Sequence, residues 1–353
     1  MKIGLVVYGS LDRISGGYLY DRKLVQSLEA RGDQVRIVSL PERTYAAHLV
    51  DNFHFRLPGG FEIIIQDELN HPSLLAANAR KHACPVVSLV HNLHSLEPRP
   101  AWQNSLSRLV ERRYLETVDA FIFNSNTSRR AVQGLIGSGR PFVVANPPTD
   151  RFGAPLDAAQ IRRRAHEPGP LRLLFLGNVT PLKGLHVLLE AVRGQPCDLR
   201  LDVVGSLGVA PAYARRMREQ AAVGGLTSRV SFHGVLDGDA LKERLCCAQV
   251  MVVPSAYEGF GIAYLEGMGF GLPAIGTTAG AARELIAEDQ NGYLIPPEDA
   301  RVLAARLAGL AADRSRLEKM SLEALRRYQE QPPWERTVDR IRAFLAQSAA
   351  GGA

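Results

Sequence analysis

The stretch VVPSAYEGFGIAYLEGMGFGLPAIGT, residues 252–277, opens on an apolar run that ends at Pro254, turns through Gly259 and Gly261, and continues as a helical pattern from Phe260 or Gly261. A buried strand that gives way through glycines to a helix leaves unpaired backbone N–H groups at the end of a sheet, a natural seat for phosphate. Glu258 stands just before that helix and Glu266 two turns into it. Eight helical residues span about 12 Å, comparable with the reach from a sugar across a diphosphate to a ribose. A carboxylate at each end accepts hydrogen bonds from ring hydroxyls. Glu258, Gly259, Phe260, Gly261 and Glu266 are therefore the predicted grip on a nucleotide sugar.

Working outward, strands and helices alternate on both sides of this segment. LRLLFLG, LRLDVVG, RVSFHG and VMVVPS read as strands in the second half, and KIGLVVYG, QVRIVSL, FEIIIQD, CPVVSLVH, DAFIFNS and PFVVANPP in the first. Runs apolar nearly throughout, separated by helical patterns, imply a parallel sheet covered on both faces. Between the halves, residues 147–170 are rich in Pro, Arg and Ala and include Arg162, Arg163 and Arg164 in what reads as a linker. The fold class is α/β, with two Rossmann-like doubly wound domains at 1–160 and 171–330. Their ligand crevices lie at the strand C-termini, which allows them to face a common cleft. QPPW then interrupts, and WERTVDRIRAFLAQS supplies a last amphipathic helix in 331–353.

The 353 residues exceed what one core usually organises, and 46% hydrophobic with 22% charged residues is a globular composition. No apolar run approaches the ~20 residues of a transmembrane helix, and MKIGLVVYGS reads as a first strand and not as a signal peptide. Cys84, Cys197, Cys246 and Cys247 lack metal-ligand spacing and read as buried reduced thiols of a cytoplasmic protein. The net charge of +6 is uneven: residues 1–170 carry 21 Lys and Arg against 16 Asp and Glu, the remainder 21 against 20. A basic first half suits an anionic acceptor or peripheral contact with an anionic membrane at its inner face, and a solvated linker accounts for part of the same charge.

Several chemistries are excluded by missing motifs. No GxGxxG follows the first strand, no GxxxxGK[ST] is present, and neither a GxSxG elbow nor an HExxH helix occurs. Two further loops stand at strand ends. LLFLGNVTPLKGLHVLLEA, residues 173–191, carries Gly177, Asn178 and Lys183 into a helix, and a lysine there can neutralise a leaving diphosphate. Gly16 and Gly17 precede the first helix, where backbone can approach a ligand closely.

With EGFGIAYLE as an E-x7-E motif, together with the GG loop and the GNVTPLKG loop, the chain resembles the family-four retaining glycosyltransferases of the GT-B fold, over nearly its whole length. The resemblance implies that Lys183 contacts the donor diphosphate, Glu258 the transferred sugar and Glu266 the ribose. It places His91, at the end of SLVHNLH, near the sugar, with His94 as a substitute. It also sends the last helix back to the first domain. The family has an Arg five residues before the lysine; here Asn178 stands there, so backbone amides at Gly259, Phe260 and Gly261 or at Gly16 and Gly17 carry more of the phosphate. The implied reaction moves a hexose from a nucleoside diphosphate, uridine diphosphate favoured, to an unidentified acceptor hydroxyl with retention, without metal or cofactor and without a nucleic-acid partner. Alternative readings are an epimerase on the same fold and a non-catalytic nucleotide-sugar binding protein.

Overall fold

The computed structural model describes residues 1–13, 15–80, 84–147, 150–194 and 198–351. The chain divides into two compact units, Met1–Pro148 with Pro333–Ala353, and Thr149–Pro332.

The first unit is built on β1 (Lys2–Tyr8), β2 (Gln34–Leu40), β3 (Ile63–Asp67), β4 (Val86–Val90), β5 (Ala120–Phe123) and β6 (Phe142–Val144), all parallel, in the order β2-β1-β3-β4-β5-β6. β1 shows why the sheet is covered on both sides. Ile3, Leu5 and Val7 enter one apolar cluster while Val6 and Tyr8 enter the other, so successive side chains of one run are all buried. The helix Gly16–Glu29 and the last helix, Trp334–Gly351, close the first cluster through Tyr20, Leu24, Trp334, Val338, Ile341 and Leu345. Trp334 lies edge-on to Tyr20 at 5.2 Å and donates from its indole nitrogen to Ser27 Oγ at 2.8 Å, which fixes the returning helix on the first unit. The helices His71–Asn78, Ala101–Leu115 and Asn126–Ile136 cover the opposite face.

The second unit holds β7 (Leu171–Leu176), β8 (Leu199–Val204), β9 (Val230–Gly234), β10 (Val250–Val252), β11 (Ala274–Thr277) and β12 (Gly292–Ile295), parallel and ordered β12-β11-β10-β7-β8-β9. The chain thus winds outward one way from β7 and then the other way from β10. The β7–β10 border is the switch point at which doubly wound sheets bind ligands, beyond the strand C-termini.

Three sequence expectations need correction. Residues up to 160 were assigned to the first domain, yet the helix Ala158–Ala165 belongs to the second unit. Arg164 in that helix is no linker charge: it is 5% exposed and its guanidinium donates to the carbonyls of Phe270 at 2.6 Å, Gly271 at 3.1 Å, Cys246 at 3.2 Å and Leu245 at 3.5 Å. Four unsatisfied helix-end and turn carbonyls demand such a donor, and sequence spacing does not reveal it. Of the thiols, Cys84 and Cys246 are half-buried, Cys247 is exposed at a helix end, and none of these three forms a disulfide; Cys197 lies outside the described residues. Among the described residues no helix is long and apolar enough to cross a membrane.

Candidate functional site

In the second unit the two loops bordering the switch point are tied to each other. After β7 the chain passes Gly177 and Asn178, makes a short 3-10 turn at Pro181–Lys183, and enters the helix Leu185–Arg193 through Gly184 at φ +68°. A Cβ on Gly184 would stand 2.1 Å from the Pro254 carbonyl oxygen, so only glycine lets the loop after β7 lie against the loop after β10. The Ala256 amide donates to the Leu182 carbonyl at 2.8 Å and fixes the register of the two loops. Lys183 Nζ then meets Glu258 Oε1 at 2.6 Å, and Ser255 Oγ donates to the same oxygen at 2.6 Å. The Glu258 side chain is 9% exposed and that of Lys183 26%. Behind them the Glu258 backbone pairs with Gly280, where a Cβ would fall 2.2 Å from the Glu258 carbonyl oxygen.

The glycine-rich turn continues through Gly259, Phe260 and Gly261. Phe260 is buried in the core at 3% exposure, so it can offer a ligand only backbone. Gly261, at φ +98°, precedes the helix Ile262–Gly269 without a side-chain cap and packs against the Tyr264 ring. The helix starts at Ile262, later than predicted. The segment Glu258 to Glu266 is therefore half turn and half helix, and the straight-helix span of about 12 Å does not describe it. Glu266 is 8% exposed and pairs with Arg151 Nη1 at 2.9 Å. Burial pushes its pKa above the ordinary glutamate value, against the lowering by Arg151.

In the first unit the switch point lies between β1 and β3, and the predicted residues of this half gather around it. Gly16 and Gly17 are the first residues of the helix Gly16–Glu29, capped by Ser15 Oγ, which accepts from the Tyr18 amide at 3.3 Å. A Cβ on Gly17 would stand 3.2 Å from His91 Cδ2, so the GG pair and His91 share one site. His91 is 8% exposed and its Nε2 lies 2.8 Å from Asp21 Oδ1. Burial works against the imidazolium, but the Asp21 carboxylate outweighs it, with Asp67 and Glu68 adding, and His91 is pushed up to about 9. Asp67, at the end of β3, is pushed up to about 7 by burial, with Asp21 adding and His91 opposing.

His94 does not join that pair. It stacks on Tyr45 with ring centroids 4.6 Å apart and borders a second buried cluster, in which His71 Nε2 meets the Tyr45 hydroxyl at 2.9 Å and Ser95 Oγ donates to Glu111. Ligand atoms of Asp21, Asp67 and His91, and of Glu68, His71 and Glu111, lie within 4.8 Å of one another, spacing that a cation could use. In each group a histidine nitrogen is already engaged, by Asp21 or by Tyr45. Ser255, Arg151, Asp21 and Asp67 are the site residues that sequence reasoning missed. Asp67 and Asp21 each stood at a readable place, a strand end and the first helix, but no spacing joins them to His91.

Two doubly wound parallel units, each with its polar cluster at the switch point, are the architecture of the GT-B glycosyltransferases. Residues 157–327 match the family described as Glycosyl transferases group 1. Those residues make up most of the second unit. It is 27% identical over 363 residues to the phosphatidyl-myo-inositol mannosyltransferase of Mycobacterium leprae, covering 93% of each chain. It is 28% identical over 263 residues to the D-inositol 3-phosphate glycosyltransferase of Xylanimonas cellulosilytica, covering 69% of this chain and 63% of that relative. Sucrose-phosphate synthase from Thermosynechococcus elongatus has the same fold, with a TM-score of 0.82 at 21% identity over 99% of both chains. So does the Anabaena protein HepE, solved in complex with UDP-glucose, with a TM-score of 0.72 at 19% identity over 98% of this chain and 100% of that one.

Proposed function

We propose that this glycosyltransferase moves a hexose from a nucleoside-diphosphate sugar, with a uridine diphosphate hexose favoured, to an acceptor hydroxyl with retention at the anomeric carbon. The observation that carries the reading is the Lys183–Glu258 pair at the β7–β10 switch point, held at 2.6 Å by two loops locked through Gly184 and Pro254. An ammonium there can take up the charge of the leaving diphosphate, with the Gly259–Gly261 amides and the free N-terminus of Ile262–Gly269 beside it. Glu258 is assigned to the hydroxyls of the transferred sugar, Glu266 to the ribose and His91 to the sugar. The bond from the anomeric carbon to the phosphate oxygen breaks, the bond to the acceptor oxygen forms on the same face, and the acceptor proton passes to the leaving phosphate. Lys183 and the amides supply the positive charge that a metal ion would otherwise bring. The HepE complex with UDP-glucose supports the donor class.

The test is purified protein with a panel of nucleotide sugars, with and without alcohol acceptors. Release of nucleoside diphosphate with slow formation of free sugar, accelerated by an acceptor and giving a glycoside of unchanged anomeric configuration, is the expected result. Epimerised donor in the absence of acceptor would establish an epimerase instead. Donor binding in a thermal-shift assay without turnover across the acceptor panel would leave only a binding protein.

A further inference from the structure

The helix Ala101–Leu115 carries two stripes on opposite sides, a buried, largely polar one and an exposed apolar one. Ser107, Glu111 and Tyr114 face the first unit, while Trp102, Leu106 and Leu109, at the same i, i+4, i+7 spacing half a turn away, face solvent with exposures of 69%, 49% and 53%. A helix that serves only as packing against a sheet has no use for a second stripe, and an exposed tryptophan among leucines is a feature that water disfavours. Arg108, Arg112 and Arg113 are exposed beside this stripe, Arg112 paired with the exposed C-cap Glu116 at 2.9 Å, while Glu111 faces inward.

We infer that this outer stripe is a docking surface for an anionic phospholipid bilayer, with the helix lying in the plane of the interface. Charge decides between occupants. Two copies of this chain meeting through the stripe would bring six arginine side chains together against only the two Glu116 carboxylates that pair with Arg112, whereas an anionic headgroup layer neutralises the excess and takes the apolar stripe beneath it. The tryptophan suits that boundary, with its ring in the acyl margin and its N–H toward headgroups. The surplus of 21 Lys and Arg over 16 Asp and Glu in residues 1–170 adds long-range attraction of the same sign. The inference rests on this helix alone and stands apart from the donor assignment.

Vesicles of phosphatidylglycerol and phosphatidylcholine test it against vesicles of phosphatidylcholine alone. The full chain should sediment with the anionic vesicles, less so as salt is raised. The chain has two tryptophans, and Trp334 is buried at 2% exposure, so a blue shift of emission on binding reports Trp102. The variant Trp102→Ser with Leu106→Ser and Leu109→Ser, and separately Arg108→Glu with Arg112→Glu and Arg113→Glu, should each lower vesicle partitioning about tenfold or more. Donor hydrolysis should stay at the wild-type rate in both, which shows that they fold. Equal binding to the two vesicle types, unchanged partitioning of the variants, or a concentration-dependent dimer that the serine variant abolishes would each overturn the inference.

Discussion

Replacing Lys183 by Ala separates a structural ion pair from a chemical one. The substitution leaves the Glu258 carboxylate, 9% exposed, with the Ser255 hydroxyl at 2.6 Å still donating to Oε1. Losing one partner of a fully buried pair costs about 3–5 kcal/mol. Here the lysine side chain is 26% exposed, so water can replace part of what it gave, and one donor remains. The expected destabilisation is therefore about 1–3 kcal/mol. For a unit of this size that is a fall in the melting midpoint of roughly 3–10 °C. The effect on turnover should be larger. Removing a preorganised donor to developing negative charge costs about 2.7–4 kcal/mol, or a factor of roughly 100–1,000 in rate. The assay is the initial rate of nucleoside diphosphate release at saturating donor, measured well below the lowered melting midpoint. Lys183→Arg retains the charge and should recover part of the rate. If the melting midpoint falls as expected while turnover stays within about threefold of wild type, the pair only fastens two loops and the donor assignment is refuted.

Glu266→Ala should weaken binding of the free nucleotide about tenfold with a smaller effect on the rate at saturation; calorimetry giving an unchanged affinity would remove Glu266 from the ribose. His91 is held up to about 9, above the ordinary histidine value of about 6.5. The Asp21 pair therefore stabilises the folded protein fully below the unfolded value and loses that contribution as pH rises through about 9. Asp21→Asn should move the histidine titration seen by NMR, and with it the alkaline fall in rate, toward neutral pH; unchanged titration would remove Asp21 as the group that positions and charges His91. Gly184→Ala must accommodate both φ +68° and an atom 2.1 Å from the Pro254 carbonyl oxygen. It should cost about 2 kcal/mol or more and lower turnover as well, and a variant as stable as wild type would show that the two loops part easily.

The fold was legible because its strands are buried on both faces. Ile3 to Tyr8 and Leu171 to Leu176 are apolar at nearly every position, a pattern that only a covered parallel sheet uses. The glycines were legible for a similar reason, since Gly184 and Gly261 mark positive φ and close approach directly in the sequence. Partnership was not. Glu258 and Lys183 stand 75 positions apart and His91 and Asp21 stand 70 apart, and one sequence carries no record of which loops converge. Arg164 shows the same limit from the other side. Its neighbours Arg162 and Arg163 are exposed, and only the four carbonyls brought around it by the helix ends at Leu245, Cys246, Phe270 and Gly271 make it a core residue. The helix start at Ile262 was missed because a glycine in a sequence is compatible with either the cap or the first turn, and only its φ of +98° places Gly261 outside the helix.

The returning helix Trp334–Gly351 also sets an order of events for the newborn chain. The first unit is made of two segments separated by the whole second unit, so its sheet emerges early but lacks Trp334, Val338, Ile341 and Leu345 until the second unit has been made. The second unit, continuous from Thr149 to Pro332, can close while its predecessor still waits with Tyr20, Leu24 and the β1 side chains uncovered. During synthesis the half that is read first is thus the half that finishes last, and a chain cut short before residue 334 would present a permanent apolar wound to any holdase or protease that meets it.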